Sequence, residues 1–292
     1  MTREQLRKNI RIFEDQEFNL AAGKVLAQET RYDCTRFPGG EINVKIGGFD
    51  VVPAPAMLKR LPLPWQGELY WADIRSSDDL MTLLLLRDAK ARLGKAKPGD
   101  ILFIPYMPYG RQDRACGQGE AFSLKVFAQI VNGMGFAAVI SLDPHSLVTN
   151  ALIDRFLPLE LADLLPKDGI LVPGYVVAPD AGAALRAKRI ADKMDRPLLQ
   201  ALKVRHGDRV ISVVHQDVPC ELSCLVVDDI CDGGATFLAL ADELKRKGAG
   251  ALSLLVTHGI FSRGLDALLE KYDTIHTVNN ISGITHPKLK VL

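Results

Sequence analysis

Two kinds of apolar pattern alternate along the chain and predict strands and helices in turn. The short runs ILFIPY (101–106), AAVISLD (137–143), YVVAPD (175–180), CLVVDD (224–229) and LSLLVTH (252–258) are apolar at nearly every position and end in turn or polar residues. Such runs predict strands buried on both faces. Between them, apolar residues recur at helical spacing in SSDDLMTLLLLRDAKARLG (76–94), SLKVFAQIVNGMG (123–135), GAALRAKRIADKM (182–194) and TFLALADELKRKG (236–248). Ser76, with Asp79 three residues on, is a capping signal for the first of these helices, and Gly94 is its stop. Alternation of strand and helix through short turns predicts an α/β fold, with parallel sheets flanked by helices.

The pattern repeats. DDLMTLLLLRDAKARLGKAKPGDILFIPY and GATFLALADELKRKGAGALSLLVTHG share one helix–turn–strand layout. Two duplicated domains are therefore expected, 1–155 and 156–292, with the boundary where DRFLPLELADLLPKDG loosens the pattern. Segment 46–75, with PAP and LPLP, is the least regular part and reads as an excursion or edge hairpin.

Composition acts by exclusion. The 292 residues carry 36 Lys+Arg against 35 Asp+Glu, a net charge of +1, so no charge bias points to nucleic acid or a membrane surface. No apolar run reaches bilayer length, and MTREQLRKNIRIFEDQ has no signal-peptide core. Cys34, Cys116, Cys220, Cys224 and Cys231 form no C-x-x-C pair, and five is an odd number, which fits reduced thiols. A soluble cytoplasmic protein is expected.

The chemistry gathers in CLVVDDICDGGATFLALADELKRKG (224–248). Ligands of open α/β sheets lie beyond the carboxyl ends of the strands, where Asp228 and Asp229 are expected to stand. Asp232, Gly233, Gly234, Ala235 and Thr236 then wrap into a helix start, whose free N–H groups and dipole favour an anion such as phosphate. Glycine permits close approach, and Thr236 either caps the helix or offers its hydroxyl to a phosphate oxygen. Carboxylates repel phosphate, so Asp228 and Asp229 suit neutral sugar hydroxyls. A phosphate at one end and vicinal hydroxyls at the other describe a ribose 5-phosphate group. A well-capped strand–helix turn with no ligand would show the same spacing.

This stretch resembles the phosphoribosyl-binding signature V-V-D-D-x-x-D-T-G-G-T of ribose-phosphate pyrophosphokinases. FPGGEINVKI (37–46), IPYMPYGRQDR (104–114), SLDPHS (141–146), VVAPDAGAALRAK (176–188) and VTHGIFS (256–262) resemble further motifs of that family, in the same order. The resemblance implies two phosphoribosyltransferase-like (Rossmann-like) domains, an ATP-binding one and a ribose-5-phosphate-binding one. It also implies transfer of the β,γ-diphosphoryl group of ATP to the anomeric hydroxyl of ribose 5-phosphate, with Mg2+. No Walker loop is present and GQGEAF lacks the third glycine of a dinucleotide fingerprint, so ATP must be held otherwise. By resemblance Phe37, Gly39, Glu41, Arg111, Gln112, Arg114 and His145 lie at the nucleotide, and His145 and Asp180 at the metal. LKVRHGDRV (202–210) resembles the family's mobile lid, with Lys203 and Arg205 as catalytic cations two residues apart on an extended segment.

Departures from the family pattern leave the acceptor open. Gly39 stands where the family usually has Asp, which relaxes base selectivity. Gly233 stands where it has Thr, and Ala235 replaces a glycine; a pocket less committed to a phosphate monoester admits ADP-ribose as the alternative acceptor. The chain closes on HPKLKVL without the family's last helix. That region and 46–75 serve the family's subunit contacts and allosteric sites, so a homo-oligomer is expected, with its form and regulation open. Resemblance to phage-borne members suggests a role in NAD salvage. A regulatory protein without activity is a third reading, disfavoured by the retained Lys203, Arg205, His145 and Asp180. A phosphoribosyltransferase would share only the 228–236 turn. Cys231 reads as a filler or a redox-sensitive thiol, and His258 as a ribose-site or strand-capping residue. No nucleic-acid or membrane partner is expected.

Overall fold

The computed structural model describes residues 9–13, 19–21, 24–53, 67–165, 173–206, 209–214 and 221–292. The chain divides into two units, Met1–Pro158 and Leu159–Leu292.

The first unit begins with β1 (Ile10–Phe13), β2 (Asn19–Ala21), β3 (Lys24–Arg36), β4 (Ile42–Pro53) and β5 (Leu69–Ala72). It continues with α1 (Ser77–Arg92), β6 (Ile101–Ile104), α2 (Ser123–Gly133), β7 (Ala138–Leu142), α3 (Val148–Leu152) and β8 (Phe156–Leu159). The sheet order is β2-β3-β1-β5-β6-β7-β8, with β4 added on β3. β6 and β7 are parallel, as the apolar runs predict, and buried at every position; β5, expected to belong to an excursion or edge hairpin, is instead an interior strand parallel to β6, between β1 and β6. β1 to β4 are antiparallel to their neighbours, so this sheet is mixed rather than wholly parallel. The tight turn at 37–41 reverses β3 into β4, and such a connection can join only antiparallel strands. Of segment 46–75, residues 46–53 continue β4 and 69–72 form β5, while 54–66 lie outside the described residues.

α1 is capped as its sequence foretells. The Ser76 hydroxyl accepts from the Asp79 N–H, and Gly94, at φ +67°, follows the last turn. The Asp79 carboxylate in turn accepts from the backbone N–H of Arg75 and the side chain of Asn9.

The second unit carries α4 (Leu161–Leu164), β9 (Tyr175–Ala178), α5 (Ala184–Met194), β10 (Leu198–His206), β11 (Arg209–Val214), β12 (Cys224–Cys231) and α6 (Ala235–Arg246). It ends with β13 (Leu252–Gly259), α7 (Asp266–Leu269), β14 (Thr274–Asn280) and β15 (Leu289–Val291). The order is β11-β10-β9-β12-β13-β14-β15, parallel except for the β10–β11 hairpin. Both faces are covered. Val226, Leu252, Leu254 and Val256 pack with Phe237, Leu240 and Leu244 of α6 in one cluster. Their strand neighbours Val176, Leu225, Val227 and Leu255 are equally buried outside it, and α5 packs on β9 and β12 through Ala187 and Ile190.

Candidate functional site

In the second unit the acidic pair lies near the carboxyl end of β12, within its last four residues. Asp228 lies opposite Val256, Ile230 opposite His258 and Cys231 opposite Gly259. The register of β9 and β12, Val177 opposite Val226, brings Asp180 and the Asp228–Asp229 pair to the same end of the sheet. Arg186 of α5 joins them, with Nη1 at 3.4 Å from Asp228 Oδ1 and 3.9 Å from Asp229 Oδ1. Asp228 Oδ1 also accepts the Asp229 N–H at 2.9 Å. Burial first, then the neighbouring Asp229, push the Asp228 carboxyl well above the usual carboxylate range, and the Arg186 charge opposes this only in part. The pair is thus an acid cluster with one cation, suited to exchange hydrogen bonds with sugar hydroxyls.

Beyond Cys231 the chain bends through Asp232 and Gly233 to Gly234, which is the helix N-cap at φ +80° and makes no side-chain cap. A Cβ at 234 would stand 3.2 Å from Leu268 Cδ2, a tight contact, and the positive φ calls for glycine in any case. α6 begins at Ala235, so Thr236 is its second residue and does not cap it. The capping role expected of Thr236 is withdrawn; its half-buried hydroxyl keeps the ligand-facing alternative. The first N–H groups of α6 have no partner within the helix.

Asp180 follows β9 and accepts the Ala183 N–H on Oδ1 at 3.2 Å, at the entry to α5. Lys203 and Arg205 lie on β10, their backbones opposite Ser212 and Val210 of β11. The predicted lid segment thus falls on the paired strands β10 and β11, and residues 207–208 between them lie outside the described residues.

In the first unit the turn at the tip of β3–β4 is closed by Phe37 N–H to Glu41 O at 2.8 Å and Gly40 N–H to Phe37 O at 2.9 Å. It leaves the Phe37 ring and the Glu41 side chain exposed. Glu41 fills the space that a side chain at 39 would use, since a Cβ on Gly39 would meet Glu41 Oε2 at 2.5 Å. Arg111, Gln112 and Arg114 line a cavity of about 340 Å³ together with Asp113, Cys116, Glu120, Ala121 and Ser123. His145 adjoins the Met107–Gly110 turn that precedes Arg111: a Cβ on Gly110 would be 3.7 Å from His145 Cβ. Phe37, Gly39 and Glu41 are not among the residues lining that cavity. Tyr109, Asp143 and Phe261, all inside the family-like motifs, adopt positive φ, the kind of strain that collects at ligand-holding turns.

Two arginines that the motifs did not single out stand beside the predicted site residues. Arg186 stands in the quoted VVAPDAGAALRAK, but its partner Asp228 is 42 residues away in the chain, so spacing gave no signal for the pairing. Arg263, one residue past VTHGIFS, borders Gly233. Cys231 is fully buried, and burial followed by Asp228 and Asp232 pushes its thiol up to about 12, which makes it a filler and not a redox group. His258 is buried within β13, its Nδ1 3.2 Å from Asn279 Nδ2. Among the described residues no three His, Cys, Asp or Glu side chains are grouped to cage a metal ion. No helix among them is long and apolar enough to cross a membrane.

Comparison with known proteins gives this geometry its context. A family model described as a phosphoribosyl transferase domain matches residues 172–288, inside the second unit. Curated relatives called ribose-phosphate pyrophosphokinase include one from Bradyrhizobium diazoefficiens, 32% identical over 66% of this chain and 62% of that protein. One from Thermosipho africanus is 30% identical over 80% of this chain and 72% of its own length. The match thus spans 62% of the length of the first such relatives. The crystal structure of phosphoribosylpyrophosphate synthetase from Mycobacterium smegmatis superposes with a TM-score of 0.68 at 24% identity, over 90% of this chain and 86% of that one, a likeness of fold.

Proposed function

The chain belongs to the ribose-phosphate pyrophosphokinase family, and from that premise we propose that it moves the β,γ-diphosphoryl group of ATP to the anomeric hydroxyl of ribose 5-phosphate. The hydroxyl oxygen bonds to the β-phosphorus, the bridge between α- and β-phosphates breaks, the hydroxyl proton is released, and phosphoribosyl pyrophosphate and AMP leave. The observation that carries the reading is the cluster in the second unit. Arg186 gathers Asp228 and Asp229 directly before the Gly234-opened helix start, so hydroxyl acceptors and anion donors adjoin within one turn.

In this reading Asp228 and Asp229 hold the ribose hydroxyls, and 232–236 holds the 5-phosphate. Phe37 stacks on the base while Glu41 accepts from its exocyclic amine, Arg111 and Arg114 grip polyphosphate through forked, permanent charge, and Gln112 adds a neutral amide donor. Asp180 in the second unit and His145 in the first are each candidate ligands for Mg2+, which would screen phosphate charge. The oxygen donor of Asp180 suits that hard ion, and Mg2+ with substrate phosphates and water needs no cage of protein ligands. Lys203 and Arg205 neutralise the diphosphoryl group in flight. Residues 1–155 then serve the nucleotide, 156–292 the acceptor, in a homo-oligomer.

A second acceptor is favoured by Gly233, whose lack of a hydroxyl loosens the commitment to a terminal phosphate: ADP-ribose, giving its 1-pyrophosphate. The deciding experiment incubates the purified chain with ATP, Mg2+ and each acceptor and resolves products by mass. AMP formed with ribose 5-phosphate is the expected result, AMP formed with ADP-ribose alone transfers the activity to the second acceptor, and AMP with neither overturns the enzyme reading.

A further inference from the structure

The bend at 232–236 is flanked by a cation that the family-like motifs do not include. After β13 the chain turns back through Ile260–Gly264. Both the Ile260 and Phe261 N–H groups donate to Cys231 O, at 2.9 and 3.0 Å, and the Gly264 N–H closes the turn on Phe261 O at 2.9 Å. Phe261 at φ 46° and Gly264 at φ 76° set the bend of this turn. Cys231 is the last residue of β12, so the turn carrying Arg263 is pinned by backbone to the residue that opens the bend.

Arg263 is exposed, and among the described residues no carboxylate pairs with it. Its Nε would lie 3.5 Å, and its Cδ 3.7 Å, from a Cβ placed on Gly233. A hydroxyl-bearing side chain at 233 would project toward the space that the guanidinium occupies. Gly233 is not among the glycines at positive φ, so its backbone alone does not require glycine. The family signature carries threonine at the place of Gly233, and in this chain the charge of Arg263 lies beside that place.

Building on the acceptor reading above, we propose that Arg263 is an acceptor-binding residue, whose guanidinium grips the phosphate oxygens at the 5′ end of the sugar in place of the missing hydroxyl at 233. Guanidinium binds phosphate oxygens in a charge-assisted fork and needs no terminal monoester. The ligand class is a ribosyl 5′-phosphate, whether its outer oxygen is free or esterified.

The test measures steady-state AMP formation by wild type, Arg263→Ala, Arg263→Lys and the double variant Gly233→Thr/Arg263→Ala. Ribose 5-phosphate and ADP-ribose serve as acceptors. Arg263→Ala is expected to raise the acceptor KM about 10- to 100-fold, the usual worth of a hydrogen bond to a charged group, while kcat and the ATP KM stay within about twofold. Lysine keeps the charge without the fork and falls between. Threonine at 233 in the alanine background recovers part of the loss, which a merely structural role for Arg263 would not produce. An unchanged acceptor KM in Arg263→Ala, in an enzyme whose wild type forms AMP, overturns the inference alone. A wild type that forms no AMP with either acceptor overturns the acceptor reading beneath it.

Discussion

Asp228 shows how far a single residue can be read. The sequence placed two carboxylates at a strand end but gave no sign of their ionisation, because the cation between them comes from α5, 42 residues back. Once burial and Asp229 raise its carboxyl, Asp228 keeps a proton in the fold at pH values where an unfolded chain has released it. Its stabilising contribution is then complete below about pH 4, the unfolded range, and is lost as pH rises through the raised folded value. Asp228→Asn should therefore hold its stability better than wild type as pH is raised, since Asp229 still faces Arg186. Thermal melts from pH 5 to pH 9 measure the gap, which must widen with pH; a constant or shrinking gap refutes the assignment. The same variant should lose about two- to tenfold in kcat/KM for the acceptor, the range that a neutral hydrogen bond supplies. Thr236 marks the opposite limit of legibility. Spacing could not separate a cap from the second helical residue, because Gly234 reaches the N-cap dihedral without any side chain to announce it.

Elements with one unambiguous period were legible, and those stabilised by distant polar partners were not. β6 and β7 are buried at every position, and their apolar runs said so. β3 alternates exposed Arg31 and Asp33 with buried Tyr32 and Cys34, a half-buried period of two; its pairing with β4 depends on a turn whose glycines read first as a binding motif. α1 hides more. Its Lys90 is fully buried, with Nζ 2.6 Å from Glu68 Oε1 and 2.9 Å from Thr30 Oγ1, although a lysine in the last turn of a helix reads as solvated. Removing one member of such a pair strands a buried charge, whereas replacing both with apolar groups of similar size can be neutral. Lys90→Ala is expected to cost about 3–5 kcal/mol, and the double replacement Lys90→Met/Glu68→Leu far less. Urea unfolding of the two variants decides it: equal losses would mean that the pair is not what ties α1 to β5.

At the scale of the whole molecule, the second unit contains what a domain needs. Its seven-stranded sheet is covered by α6 on one face and α5 on the other, and one cluster runs from Val177 to Leu289. The phosphoribosyl transferase match at 172–288 falls wholly within Leu159–Leu292. The repeated helix–turn–strand pattern led to the expectation of two domains, while the antiparallel strands of the first unit lie mostly before residue 46, where no apolar run announces them. A core closed within one unit should survive separation, because its apolar surface is already matched by its own helices. Residues 159–292 expressed alone are therefore expected to unfold in urea in a single cooperative step, with a slope of about 1–3 kcal/mol/M and coincident fluorescence and circular-dichroism curves. The fragment should form no AMP with any acceptor, since Arg111, Gln112 and Arg114 lie in the other unit. Non-coincident curves or dye binding typical of a molten state would show that this core is completed from outside, and the division at Pro158 would then not mark an independent fold.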